Sequence, residues 1–93
     1  MPNYLLPKSE RDKLAAWSAC NPLQNFEPSI YRVDAYGNVI RWSDYGTQGD
    51  YGWEIDHAIP SALGGSDSIF NLRALHWRTN RSLGGLLGNA FRA

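Results

Sequence analysis

The first half of the chain contains two short segments, residues 30–33 and 38–42, in which apolar and polar residues alternate. Alternation with a period of two is typical of strands that bury one face. Residues 34–37 separate the two segments and end at Gly37, which suits a tight turn before Asn38. The pattern therefore predicts a β-hairpin, with a loop over residues 22–29 before it.

A short apolar face at helical spacing, formed by Leu14 and Trp17, predicts a helix over residues 8–20. Ser9 and Asp12 lie three residues apart, a capping-box pattern that predicts the start of this helix. The N-terminal part of the chain is thus expected to be one helix followed by the hairpin.

The second half of the chain predicts a strand, a loop, a second strand and a helix. Residues 53–57 are expected to form a short strand, which Pro60 ends. Residues 61–68 contain two adjacent glycines and predict a flexible connection, while residues 69–75 include a second short strand and residues 77–83 favour a helix. The predicted class is α+β, in which the N-terminal helix and the hairpin pack on a strand–strand–helix unit.

Composition fits a single folded domain spanning residues 1–93. Apolar residues make up 43% of the 93 residues and include four Trp, which is enough for a core. The single cysteine, Cys20, cannot form an intrachain disulfide or a thiolate zinc site and is expected to be a buried apolar residue. The chain shows no leader-like N-terminus and no apolar run long enough for a membrane span, so a cytoplasmic location is expected.

Charge is distributed unevenly although the net charge is zero. Residues 41–69 carry one arginine and five acids, whereas residues 70–93 carry four arginines and no acid. The zero net charge argues mildly against a general nucleic-acid binder, but an acidic centre followed by an arginine-rich segment suits a metal site beside a phosphate-binding face. The alternative is a solvated helix face, which charge alone would favour.

Four polar residues supply the groups that phosphodiester hydrolysis requires. Asp56 and Asn80 offer hard oxygen donors suited to magnesium or manganese. The imidazole of a histidine titrates near neutral pH, so His57 can accept the proton of an attacking water. Asn71 is the candidate for holding that histidine in one orientation. Since neighbouring strand residues point to opposite faces, Asp56 can face the helix with the metal while His57 acts from the other side of the scissile phosphate, provided that the strand ends or twists there.

Further charged residues around these four are candidates for supporting roles. Arg73, Arg78 and Arg81 are expected to contact nucleic-acid phosphates. Glu54 shares a strand face with Asp56, and His76 lies one helical turn before Asn80. Both are candidates for a hydrogen bond to a metal ligand or to a metal-bound water. The alternatives are an ion pair with an arginine for Glu54, which is slightly favoured, and a packing role for His76.

Residues 53–83 also contain an ordered set of positions: Asp56-His57, Pro60, Gly64-Gly65, Asn71-Leu72, Leu75 and Asn80. This set resembles the motif of the HNH endonucleases, which belong to the ββα-metal nuclease superfamily. Many members have histidine at the last motif position, where this chain has asparagine. The resemblance is therefore to the HNN variant found in some homing endonucleases and in the HNH domain of CRISPR effector nucleases.

The resemblance implies a phage or bacterial enzyme that cuts or nicks DNA with a divalent metal, usually Mg²⁺ and in some members Mn²⁺ or another ion. It implies metal ligation by Asp56 and Asn80, a general base at His57, and an Asn71 that fixes the loop and the histidine. A homodimer would allow both strands to be cut. Many relatives bind a structural zinc through two Cys-x-x-Cys pairs, which a chain with one cysteine cannot do. The alternative functions are a DNA-binding module without catalysis and a toxin nuclease that requires an immunity partner.

Overall fold

Two helices and two small antiparallel sheets make up residues 6–84, the part of the chain that the computed structural model describes. Helix α1 spans Lys8–Ser18 and helix α2 spans Trp77–Leu83. The first sheet has the strand order β1-β2-β3, and the second pairs β4 with β5. This arrangement confirms the predicted α+β class. The strands are β1 (Asn21–Pro22), β2 (Tyr31–Val33), β3 (Val39–Arg41), β4 (Trp53–His57) and β5 (Leu72–His76).

Helix α1 begins at Lys8 as predicted, but its N-cap differs and it ends earlier than predicted. Its N-cap is Pro7, and no side chain accepts a hydrogen bond there, so the predicted capping box at Ser9 is wrong. Ser9 already lies inside the first turn, where Lys8 forms an ion pair with Asp12 at 2.6 Å. The helix ends at Ser18 and not at residue 20.

The segment predicted to begin a loop at Pro22 instead starts with a strand. Asn21 and Pro22 form β1, which pairs with β2 at the edge of the first sheet. A proline is tolerated at a sheet edge because its missing N–H does not interrupt a central ladder. Cys20, just before β1, is buried as expected, and its thiol donates to the carbonyl of Ala74 at 3.3 Å. Burial raises the pKa of this thiol, so it stays neutral at physiological pH.

The predicted hairpin is confirmed, and its turn is organised by a buried carboxylate. Asp34 accepts hydrogen bonds from the backbone N–H groups of Tyr36 and Asn38, each at 2.9 Å. Gly37 completes the turn with a φ of 86°, a value that glycine adopts without strain. Asp34 also accepts from the backbone N–H of His76 at 2.9 Å, so the hairpin turn is tied to the end of β5.

Three tryptophans join the helix and both sheets in one core. Trp17 of α1 lies 5.2 Å from Trp53 of β4 and 5.4 Å from Trp42, measured between ring centroids. Trp53 is fully buried, and its indole N–H donates to the carbonyl of Arg41 at 2.8 Å. The second sheet is therefore held against α1 on one face. The other members of the core cluster are Ala16, Cys20, Ile40, Leu72 and Ala74, with Ile55 packed beside them.

The second sheet and α2 form the predicted strand–strand–helix unit. The predicted strand over residues 53–57 is confirmed as β4, and the second predicted strand lies within Leu72–His76 after a turn of 3₁₀ helix. The antiparallel register places Asp56 opposite Arg73 and His57 opposite Leu72. Helix α2 follows β5 without a loop and packs on the same sheet. Neither of the two described helices is long and apolar enough to cross a membrane.

Candidate active site

A pocket of about 380 Å³ opens where β4 ends and faces the helix α2. It brings together Asp56, His57 and Asn80, three of the residues predicted to carry the chemistry. Asp56 and His57 were expected to act on the same phosphate if the strand ended there; β4 does end at His57, and both residues line this pocket. We call this cavity the site pocket; its lining is Ile55, Asp56, His57, Pro60, Ser61 and Asn80.

One oxygen of Asp56 is held by an arginine from the neighbouring strand. The Arg73 Nε–H donates to Asp56 Oδ2 at 3.0 Å, as their paired register allows. Burial lowers the pKa of the Arg73 guanidinium, but the hydrogen bonds and charges of Asp56 and Tyr36 outweigh it and leave that pKa above its ordinary value. The Arg73 side chain is only 25% exposed and lies over the Tyr36 ring. Arg73 was predicted to contact phosphate, but the structure directs it to Asp56.

Asn80 is held by Glu54, which lies on the same face of β4 as Asp56. The Asn80 amide Nδ2 donates to Glu54 Oε1 at 3.2 Å. The other oxygen of Glu54 accepts from Arg81 at 3.3 Å. The favoured alternative for Glu54, an ion pair with an arginine, is therefore confirmed, and the same carboxylate also contacts a predicted metal ligand.

The imidazole of His57 contacts an acid that sequence reasoning did not select. His57 Nε2 lies 2.9 Å from Asp67 Oδ1. A carboxylate can only accept a hydrogen bond, so this contact places the proton on Nε2 and leaves Nδ1 as the nitrogen able to accept one. Asp67 was counted only as a charge because it lies ten residues away in a loop whose path no periodicity predicts.

The hydrogen bonds of Asn71 hold the loop that follows β4 and lines part of the site pocket, and we call these hydrogen bonds the clamp. The side chain of Asn71 accepts from the Ile59 N–H at 2.8 Å and donates to the Ile59 carbonyl at 3.1 Å. It also donates to the Ser66 carbonyl at 2.8 Å, and its backbone carbonyl accepts from Ala58 at 2.8 Å. All described hydrogen bonds of Asn71 go to backbone groups and none to the His57 ring. Asn71 therefore fixes the loop next to the histidine, while Asp67 contacts the imidazole.

The two adjacent glycines allow the same loop to close. Gly64 has a φ of 90° at the end of a 3₁₀ turn, a conformation that other residues rarely adopt. A Cβ on Gly65 would lie 1.7 Å from the carbonyl oxygen of Ile59, which is not sterically allowed. Instead the Gly65 N–H donates to the Pro60 carbonyl at 3.0 Å. The loop predicted to be a flexible connection is thus a set of hydrogen-bonded turns.

His76 caps the helix α2 and does not line the site pocket. Its Nδ1 accepts from the Arg78 N–H at 3.2 Å, and its Nε2 lies 2.8 Å from the carbonyl of Asp50. A carbonyl only accepts, so the proton sits on Nε2, and both ring nitrogens are used. This geometry supports the packing alternative. The described hydrogen bonds of the His76 ring go to Arg78 and Asp50 and not to Asp56 or Asn80, the predicted metal ligands.

A basic and aromatic surface follows the outer side of α2. Arg78 and Arg81 lie over the Trp77 ring at 5.0 and 5.5 Å from its centroid. The Arg78 side chain is 63% exposed, and its ion pair with Asp50 is long, at 4.0 Å. Of the three arginines predicted to contact phosphate, Arg78 is the most available for it, and Arg81 is shared with Glu54.

The site pocket offers two hard oxygen donors, the kind that divalent cations such as magnesium and manganese bind. Asp56 contributes a carboxylate and Asn80 an amide, so both contribute oxygen, and one oxygen of Asp56 is already held by Arg73. Within residues 6–84, no three side chains of the types His, Cys, Asp or Glu converge in a geometry suited to a metal. A magnesium ion bound by only two protein ligands would take the rest of its coordination shell from water and phosphate.

The fold and the site define a small α+β domain with a ββα unit, whose polar pocket lies between the end of the first strand and the helix. Residues 40–85 match the family model described as HNH endonuclease. The match places this segment, which contains β4, β5 and α2, in the HNH endonuclease family, as the sequence motif predicted. Curated proteins and solved structures gave no significant match to the chain.

Proposed function

We propose that the chain is a divalent-metal-dependent DNA endonuclease that hydrolyses phosphodiester bonds. The observation that supports this proposal most directly is the site pocket, which is lined by Asp56, His57 and Asn80 together. The family match to residues 40–85 supports nuclease-type activity independently of that geometry. In this proposal residues 1–93 act as one nuclease domain with a motif core at residues 53–83.

His57 is the proposed general base. Asp67 holds the proton on Nε2, so Nδ1 accepts the proton of the attacking water. Asn71 keeps the strand end and the loop in register, since its bonds to Ile59 continue the pairing of β4 with β5. Asp67 thus orients the imidazole ring of His57, and the hydrogen bonds of Asn71 fix the backbone that follows it.

Asp56 and Asn80 would hold Mg²⁺, or Mn²⁺ in its place. When bound, such an ion neutralises charge on the phosphate and on the leaving oxygen. Arg78 and Arg81 lie on the helix that carries Asn80, and we assign them to the DNA backbone. Arg73 is assigned to Asp56 instead, because it is half-buried and bonded there.

The proposal is tested by incubating supercoiled plasmid with the wild-type protein. Open-circular DNA is expected with Mg²⁺ or Mn²⁺, and excess EDTA should stop its formation. One site pocket per chain predicts nicks before linear DNA; linear product that appears at once, with a rate rising as the square of protein concentration, would indicate a homodimer. If plasmid is bound but never nicked with any divalent metal, the binding-module alternative replaces the enzyme.

Arg78 and Arg73 are expected to differ in their effect on DNA binding. Arg78→Gln should reduce the slope of log affinity against log salt concentration by about 1, because one phosphate contact is lost. Arg73→Gln should leave that slope unchanged, since Arg73 is paired with Asp56. Fluorescence anisotropy with a labelled duplex in EDTA measures both. Equal slopes for Arg78→Gln and wild type would remove Arg78 from the proposed DNA surface.

A further inference from the structure

We propose that Glu54 is a positioning residue that turns the amide oxygen of Asn80 towards the site pocket. The inference rests on the proposed function, because it concerns how Asn80 presents a metal ligand. The observation that carries it is the hydrogen bond from Asn80 Nδ2 to Glu54 Oε1, at 3.2 Å. Asn80 lines the site pocket, whereas Glu54 does not.

The direction of this hydrogen bond decides which end of the amide faces the metal. The two ends of an asparagine amide have nearly the same shape, but only the oxygen can bind a cation. A carboxylate has no proton to donate at neutral pH, so the end of Asn80 next to Glu54 must be the NH₂ group. The oxygen is at the opposite end of the same planar group. Without Glu54, the flipped amide would present its NH₂ group to the ion.

The Glu54 carboxylate is itself held by a hydrogen bond, so it can fix the orientation of Asn80. Its second oxygen accepts from Arg81, the residue after Asn80 on α2, at 3.3 Å. The Glu54 side chain is 27% exposed and lies on β4, two residues from Asp56. Glu54 therefore links the strand that carries one proposed metal ligand to the helix that carries the other.

Two substitutions separate orientation from charge. Glu54→Gln removes the charge but keeps an oxygen that can accept from Asn80, whereas Glu54→Leu removes both. Removing the partner that orients a metal ligand typically weakens metal affinity by about 10–100-fold. Calorimetric titration with Mn²⁺ should therefore show at least a tenfold loss for Glu54→Leu, by the same principle, and a smaller loss for Glu54→Gln. An unchanged Mn²⁺ affinity for Glu54→Leu would overturn the proposal, since the amide of Asn80 would then present its oxygen without Glu54.

A double-mutant cycle tests whether Glu54 acts through Asn80. In an Asn80→Ala background, Glu54→Leu should cause no further loss of Mn²⁺ affinity, because the amide it orients is absent. An undiminished effect in that background would show that Glu54 acts on the metal without Asn80 and would overturn the proposal. Thermal unfolding of each variant checks that it folds. If Glu54→Leu does not fold, Glu54→Thr, a strand-forming residue too short to reach Asn80, replaces it.

The wild-type protein separates failure of this inference from failure of the proposed function. A wild type that neither binds Mn²⁺ nor nicks plasmid overturns both. A wild type that does both, together with a Glu54→Leu variant of unchanged Mn²⁺ affinity, overturns only the orienting role of Glu54.

Discussion

Replacing His57 by alanine is expected to lower the rate of plasmid nicking by about 10²–10⁴-fold, the usual contribution of a general base. The variant loses the only imidazole that lines the site pocket, while Asp56 and Asn80 remain. Binding of Mn²⁺ and of DNA should therefore stay close to wild type. Nicking rates are measured on supercoiled plasmid at saturating Mg²⁺, and Mn²⁺ affinity by calorimetry.

His76 offers a matched control, because it is the other histidine of the chain. His76→Asn keeps a side chain that can cap α2 but loses the bond to the Asp50 carbonyl. It should lower thermal stability modestly and leave the nicking rate per folded molecule unchanged. Free imidazole should partly restore nicking to His57→Ala, since a soluble base can enter the vacated space. If His57→Ala nicks as fast as the wild type, His57 is not the general base.

The elements of the fold that were predicted correctly have local signals. Strand β4 and the hairpin show alternating apolar positions, and the turn at Gly37 requires a residue that tolerates positive φ. Strand β1 was missed because it has only two residues, one of them proline, and exists only through pairing with β2. The cap of α1 was predicted wrongly because Ser9 fits a capping pattern that the structure does not use.

The motif indicated candidate site residues but not the side chains that they contact. The pairs Asp56–Arg73 and His57–Asp67 join residues 17 and 10 positions apart. Such pairs depend on strand register and loop path, which no local pattern encodes. The partners of the arginines after residue 69 were likewise not predicted, and these arginines were interpreted as either a phosphate-binding or a solvated face. Arg73 and Arg81 also pair with acids of β4, so the acidic centre and the basic segment partly neutralise each other.

Asn71→Ala is expected to lower both stability and activity. The side chain of Asn71 is nearly buried, and its loss leaves the Ile59 N–H and two carbonyls without their partners. Unsatisfied buried groups cost about 1–3 kcal/mol each, and partial access to water reduces this to a total of about 3 kcal/mol. For a domain of this size that corresponds to a fall in Tm of roughly 15 °C. Differential scanning calorimetry measures the fall.

Activity should fall beyond what unfolding explains. The clamp holds the loop that supplies Pro60 and Ser61 to the site pocket and begins directly after His57. A misplacement of about 1 Å in such a site can cost about 10²-fold in rate, so nicking per folded molecule should drop by that order at a temperature where the variant is folded.

Two variants in the same loop test whether the clamp is the cause. Asn71→Asp keeps the acceptor for the Ile59 N–H but turns a buried carboxylate oxygen towards the two carbonyls that Asn71 donates to, so its stability and activity should fall at least as far as those of Asn71→Ala. Ser68→Ala removes one exposed hydrogen bond, to the Phe70 N–H, and should change Tm by only a few degrees. If Asn71→Ala were no less stable than Ser68→Ala, the bonds to Ile59 and Ser66 would not hold the loop. Full nicking by a folded Asn71→Ala protein would mean that His57 keeps its position without the clamp.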